Sequence, residues 1–166
     1  MKTVYTGFFY GLILLTIVIS CNTSEKKIKD DQPRRIELLF LGHASEHHNS
    51  RAYMPILASA LTKNGINITY TEAVEDLNPD NLELYDGLMI YANHEDRAPV
   101  QERALLDYIA EGHAFIPIHC ASFCFKDSPE YVDLVGGQFM SPGTDPFTAT
   151  IVDKVHPIMQ EVDEFS

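Results

Sequence analysis

Three observations predict a flavodoxin-like α/β domain, three layers deep around a mostly parallel sheet. Short apolar runs alternate with stretches of helical periodicity, the pattern of strand–helix–strand units. The first run, Ile36-Glu37-Leu38-Leu39-Phe40-Leu41, is nearly continuous, as expected of a strand covered on both faces. No G-x-G-x-x-G and no G-x-x-x-x-G-K-[ST] follows it, which argues against a dinucleotide-binding Rossmann domain or a phosphate loop.

The elements follow in order. After the first strand, Gly42 to Ser50 is a polar loop. A helical stripe of Tyr53, Met54, Leu57, Ala60 and Leu61 comes next, with Asn49 or Ser50 as its cap, Pro55 in its early turns and Gly65 as its stop. Ile66 to Tyr70 is a second strand, Asn78-Pro79 starts a helical turn, and Gly87 to Tyr91 is a third strand. Pro99 to Glu111 is a helix with Pro99 in its first turn and Gly112 at its end. Ala114 to Ile118 is a fourth strand. Ser128-Pro129 opens a helix that runs through Val135 and stops at Gly136-Gly137. Phe147 to Val152 alternates Thr with apolar residues and predicts a fifth strand. The chain then stops soon after Val155-His156-Pro157-Ile158-Met159, which predicts a C-terminally truncated domain, part of a longer protein.

Composition bounds the function. With 166 residues the chain has room for one domain, and 45% hydrophobic against 22% charged residues excludes a mainly disordered one. A net charge of −12 makes nucleic acid a poor partner, because binding its backbone requires Lys and Arg to displace counterions. Three Cys are too few for a disulfide scaffold.

Residues 1–20 read as a leader. Met1-Lys2 is basic, and Gly7 to Ile19 is an apolar run too short to span a bilayer comfortably. The run ends Val18-Ile19-Ser20-Cys21, which resembles the bacterial lipobox, so the resemblance implies cleavage and lipidation at Cys21. The alternative is an uncleaved anchor. Both place the remainder outside the cytoplasm at a membrane, in the cell envelope. The acidic body would be repelled by anionic lipid, leaving the lipid to hold it. Residues 21–35 are polar and aperiodic and read as a tether; residues 36–166 form the domain.

Five of the seven histidines fall after predicted strands: His43, His47 and His48 after the first, His94 after the third and His119 after the fourth. In open α/β sheets ligands bind at the carboxyl ends of strands, so these loops predict a site. Glu46, Glu95 and Asp96 accompany them. Imidazoles and carboxylates suit acid–base catalysis, and His43, His47, His48, His94 and His119 are also candidate ligands for a divalent metal such as Zn or Mn. His113 lies at the opposite end of the fourth strand and reads as structural; His156 lies in a late loop. Cys120 and Cys124 are spaced C-x-x-x-C, not the C-x-x-C of redox or zinc sites. They read as small buried thiols, with a disulfide or a Cys120 nucleophile as alternatives.

Four segments resemble the ThuA-like (trehalose-utilisation) family, relatives of the class I glutamine amidotransferases. They are Leu38 to His48, Gly112 to His119 (the family's G-G-x-hydrophobic-G-L-H strand), Tyr131 to Phe139 (its LxGGxF segment) and His156-Pro157-Ile158 (its HPI motif). The resemblance implies a flavodoxin-like fold and a role in carbohydrate breakdown, including processing of 3-keto glycosides made by partner dehydrogenases. It puts His119 at the elbow held by the amidotransferase Cys, with Cys120 next to it, which argues against glutaminase chemistry. Pro142 stands where the family often has a His, and Pro neither ligates metal nor transfers a proton.

On that resemblance the expected enzyme uses His119 centrally, with His47 or His48 and His94 as partners or metal ligands and Glu46 or Glu95 as base. The expected partner is a small-molecule carbohydrate. The rival expectation is a non-catalytic sugar-binding module, with Tyr53, Tyr91 and Phe125 as candidate stacking rings.

Overall fold

The computed structural model describes residues 33–95, 98–143, 145, 148–160 and 162. The leader, Cys21, most of the tether and Asp96 lie outside the described residues.

Four strands form one all-parallel sheet: β1 (Ile36–Gly42), β2 (Ile66–Thr71), β3 (Gly87–Tyr91) and β4 (Ala114–Pro117), in the order β2-β1-β3-β4. That is the flavodoxin-like order, in which the chain reverses direction of winding beside β1. The near-continuous apolar run of β1 is explained by its place. Leu39 and Leu41 face one layer with Leu88 and Ile90, while Leu38 and Phe40 face the other with Met89.

Helices α1 (Ser50–Thr62), α2 (Pro79–Leu82), α3 (Pro99–Ala110) and α4 (Pro129–Val135) complete the layers. Leu105 and Tyr108 of α3 and Tyr131 of α4 bury against the Leu39–Ile90 face, together with Leu82 of α2. On the opposite face α1 supplies Met54, Leu57 and Leu61. Tyr53 and Ala60 fall off that stripe and are exposed, because the helix turns only one side to the sheet. Side chains close the helix starts: Asn49 accepts from the Ala52 N–H, Asn78 from Asn81 and Ser128 from Tyr131. Gly136 ends α4 at φ +84°, a left-handed conformation that costs a glycine little.

Among the described residues the expected fifth strand, Phe147 to Val152, does not form; Phe147 itself lies outside them. Residues 148–152 carry no strand, and Val152 is 96% exposed. Alternation satisfies the local template of a strand, but a strand also needs a hydrogen-bonding partner, and here none of the sheet's strands supplies it.

Candidate functional site

The histidine loops meet at the carboxyl ends of β1, β3 and β4. Residues 43–49 fold back on themselves: Ala44 and Asn49 form an antiparallel bridge, and the Ser50 N–H donates to the His43 carbonyl at 3.0 Å. This brings the His43 and His48 rings nearly parallel, with centroids 6.4 Å apart. Ser50, fully buried, clamps the base of the loop. Its hydroxyl accepts from the His43 N–H and donates to the His43 carbonyl, each at 2.7 Å, and lies 3.2 Å from the Tyr70 hydroxyl. Tyr70 in turn donates to Glu72, which pairs with Arg51. Gly42 is required by this crowding. A Cβ there would collide with Ser50 Oγ and stand 2.5 Å from Tyr70 Cε2.

The loop after β3 is held from within. Cys124 Sγ accepts from the His94 N–H at 3.3 Å and donates to the Ala92 carbonyl at 3.0 Å, and the Phe125 N–H donates to the His94 carbonyl. After β4 the backbone breaks sharply: Ile118 is extended, and His119 sits at φ +50° as a 3-10 turn begins. Such a conformation is strained for a residue with a Cβ, and it lifts the side chain to the top of a strand-to-helix elbow. The His119 and His48 rings lie 4.7 Å apart, edge to face, and Tyr91 is 5.9 Å from His119.

Three of these imidazoles are biased toward the neutral form. Burial lowers the pKa of His43, and His94 and His48 lower it further. Burial likewise lowers that of His48, helped by His119 and His47. His94 is lowered by burial, against a hydrogen bond with Gly42 that raises it. His48 Nδ1 and His94 Nε2 are buried without a hydrogen-bond partner, the state in which adding charge is most costly.

A cavity of about 450 Å³ opens beside His48 and His119. Its lining combines the polar side chains of His47, His48, Asn93 and His119 with the apolar Phe123, Phe139 and Pro142, and with Cys120 and Ser122. His43 and His94 do not line it and form a layer behind, 5.9 Å apart. The carboxylates stand outside: Glu46 is exposed and absent from the lining, and Glu95 pairs with Lys126 at 2.7 Å. His113 stacks on Tyr108 at 3.9 Å at the far end of the sheet, and His156 Nδ1 accepts from the Ile158 N–H at the start of a late 3-10 turn. Pro142, singled out by its place in the motif, is part of the wall.

The histidines are not gathered into a ligand set for Zn or Mn. Among the described residues no group of three or more His, Cys, Asp or Glu could hold a metal ion. The rings of His43, His47, His48, His94 and His119 stand stacked or edge-on to one another, with centroids 4.7–6.4 Å apart. The disulfide alternative also fails: Cys120 and Cys124 are both free and buried. Burial pushes the Cys120 thiol up to about 11 and Cys124 to about 12, so neither is a ready nucleophile. Of the candidate stacking rings, Phe125 is core, packed edge to face on Tyr131. Tyr53 and Tyr91 stack at 6.2 Å over a separate shallow cavity with Ile56, Leu57 and Ile118.

Asn93, Ser122, Phe123 and Phe139 carried no functional reading in the sequence. Asn93 had a signal, its place directly after β3, and Phe139 had one, its place in the segment that resembles LxGGxF; Phe123 had none, since a lone aromatic in a loop does not announce its neighbours.

An all-parallel flavodoxin-like sheet with an imidazole-lined cleft at its carboxyl edge defines the class of protein. The ThuA family, described as trehalose utilisation, matches residues 37–166, so the chain belongs to that family. A crystal structure of a ThuA-like protein from Bacteroides uniformis ATCC 8492 superposes with a TM-score of 0.64 at 18% identity, which establishes likeness of fold. The match covers 80% of this chain and 58% of that one, so the chain spans little over half the length of that relative. No curated protein sequence matches.

Proposed function

We propose that this chain is an envelope-anchored enzyme of carbohydrate breakdown that acts on oxidised (3-keto) sugars or glycosides through imidazole acid–base chemistry. The observation that carries the reading is the pair His48 and His119, 4.7 Å apart in the wall of the cavity, with His48 held below the usual imidazole range. An imidazole that is neutral at pH 7 is ready to take a proton.

A 3-keto group acidifies the neighbouring C2–H. His48 removes that proton, the C2–H electron pair becomes a C1=C2 bond, and the C1–O bond breaks with its pair leaving on oxygen. The proton taken by His48 passes through His119 to the departing oxygen, which restores both rings. The products are an unsaturated keto sugar and a free alcohol. Asn93, in the same lining, offers an amide N–H to the keto oxygen, where negative charge grows as the proton leaves. Each step uses residues of the chain, and none is routed through a metal. The carboxylates of Glu46 and Glu95 are not needed, because His48 supplies the base.

The test incubates the full chain with a 3-keto disaccharide and follows release of the monosaccharide. Release is expected, undiminished by chelator, and His48→Asn and His119→Asn should each lower it about 10²-fold or more, the range of a lost acid–base group. Wild-type rates in both variants would overturn the mechanism. A second reading, a non-catalytic sugar-binding module, is favoured by the absence of any carboxylate in the cavity lining; it requires binding without release. Anchoring through Cys21 is tested by incorporation of labelled fatty acid, lost in Cys21→Ala.

A further inference from the structure

The apolar side chains that line the cavity together with the histidines have no part in the proton transfers. We propose that Phe139, backed by Phe123 and Pro142, is a stacking platform on which a pyranose ring lays its C–H face while His48, His119 and Asn93 meet its oxygens. This rests on the carbohydrate reading above and names what that site selects: a six-membered sugar ring with one face free of axial hydroxyls.

The first observation is the shape of the corner. Phe123 and Phe139 meet edge to face, with centroids 5.7 Å apart at 85°, and Phe139 keeps 43% of its surface accessible although it lines the cavity.

The second observation is how the platform is held. The Phe139 N–H donates to the Ser122 carbonyl at 3.1 Å, and Gln138 Nε2 donates to the Lys126 carbonyl at 2.7 Å. Both acceptors belong to the stretch that follows β4, and Ser122 sits on the same 3-10 turn as His119. The segment after α4 is thereby tied to the elbow, so the platform and His119 keep their spacing. A rigid spacing between a binding face and a reacting group is what turns sugar binding into alignment of C1 and C2.

The third is the mixed chemistry of the lining. A pyranose is itself two-sided: its axial C–H bonds make an apolar face whose hydrogens suit the negative face of an aromatic ring, and its hydroxyls project from the rim. A cavity of about 450 Å³ lined by phenyl and proline as well as by imidazole and amide offers a partner to each part of the ring and lies in the usual size range of small-molecule sites.

The experiment uses the full chain, with trehalose and its 3-keto derivative as probes. Saturation-transfer NMR irradiates the aromatic resonances, and calorimetry gives the Kd. The ring C–H protons of the sugar should take up the saturation. Phe139→Leu should raise the Kd about tenfold, and Phe139→Tyr should bind within about twofold of wild type. Thermal melting checks that Phe139→Leu is folded, which its exposure predicts. An unchanged Kd in a folded Phe139→Leu protein overturns the platform and leaves the carbohydrate reading intact. A melting point lowered by many degrees shows the ring to be packing and also overturns it. Failure of the wild-type chain to bind either sugar overturns both.

Discussion

Replacing Ser50 by Ala tests how the histidine loop is held. Ser50 is fully buried, and its hydroxyl satisfies both the N–H and the C=O of His43 at 2.7 Å. Alanine at the first position of α1 is a good helix former, so the helix itself loses nothing. What is lost is local. The part-buried His43 N–H loses this acceptor, at a cost of about 1–3 kcal/mol, and the hydrogen bond to its carbonyl adds about 1 kcal/mol. The expected loss is roughly 2–4 kcal/mol, or a thermal midpoint lower by about 6–15 °C for a domain of this size. The sequence has no Trp, so unfolding in urea is followed by far-ultraviolet circular dichroism. Tyr70→Phe is the control: it removes only the hydroxyl that donates to Glu72 and leaves the ring beneath Gly42, and it should cost less. A Ser50→Ala protein within about 0.5 kcal/mol of wild type would refute the claim that this hydroxyl clamps the loop.

Two further predictions follow from the titrating groups. The lowered pKa values of His43, His48 and His94 mean that the unfolded chain binds protons more readily than the folded one just below the ordinary value of 6.5. Their stabilising contribution is complete above that value and is lost as pH falls through the depressed folded values. Thermal midpoints should therefore drop between pH 7.5 and 5, and His94→Gln should flatten the drop; an unchanged pH slope in that variant would count against the burial of His94. The carboxylates of Glu72 and Asp86, held down by Arg51 and Arg34, lose their contribution only at still lower pH. The raised thiols of Cys120 and Cys124 predict slow alkylation at pH 7 and survival of sugar release in iodoacetamide; rapid inactivation would revive a Cys120 nucleophile.

The site divides its work between two supports. The polar side chains come from the loops after β1, β3 and β4, each fixed by a different device: the Ser50 clamp, the Cys124 bridge and the strained backbone of His119. Phe139 and Pro142 come from the segment after α4, which is tied to the stretch after β4 by the Phe139 N–H on the Ser122 carbonyl and by Gln138 on the Lys126 carbonyl. Cys124 thus contributes through its geometry, as a buried hydrogen-bonding link between two loops, and its chemistry is silent.

Much of this was determined by the sequence by itself, wherever the cause is local. The apolar runs specified β1 to β4, Asn49, Asn78 and Ser128 marked the helix starts, and Gly136 marked an end, because propensity and capping act over a few residues. The clustering of His43, His48 and His119 was also legible, since parallel strands bring their carboxyl ends to one edge. Tertiary structure alone decided the rest. Residues 148–152 alternate like a strand yet pair with nothing, because pairing depends on a distant edge. Glu46 and Glu95 lie beside the histidines in sequence but point away from the cavity lining, while Phe139 reaches it from a segment beyond α4. Whether a thiol is reactive, an imidazole neutral or an aromatic ring exposed depends on what packs around it, and that is a property of the folded neighbourhood.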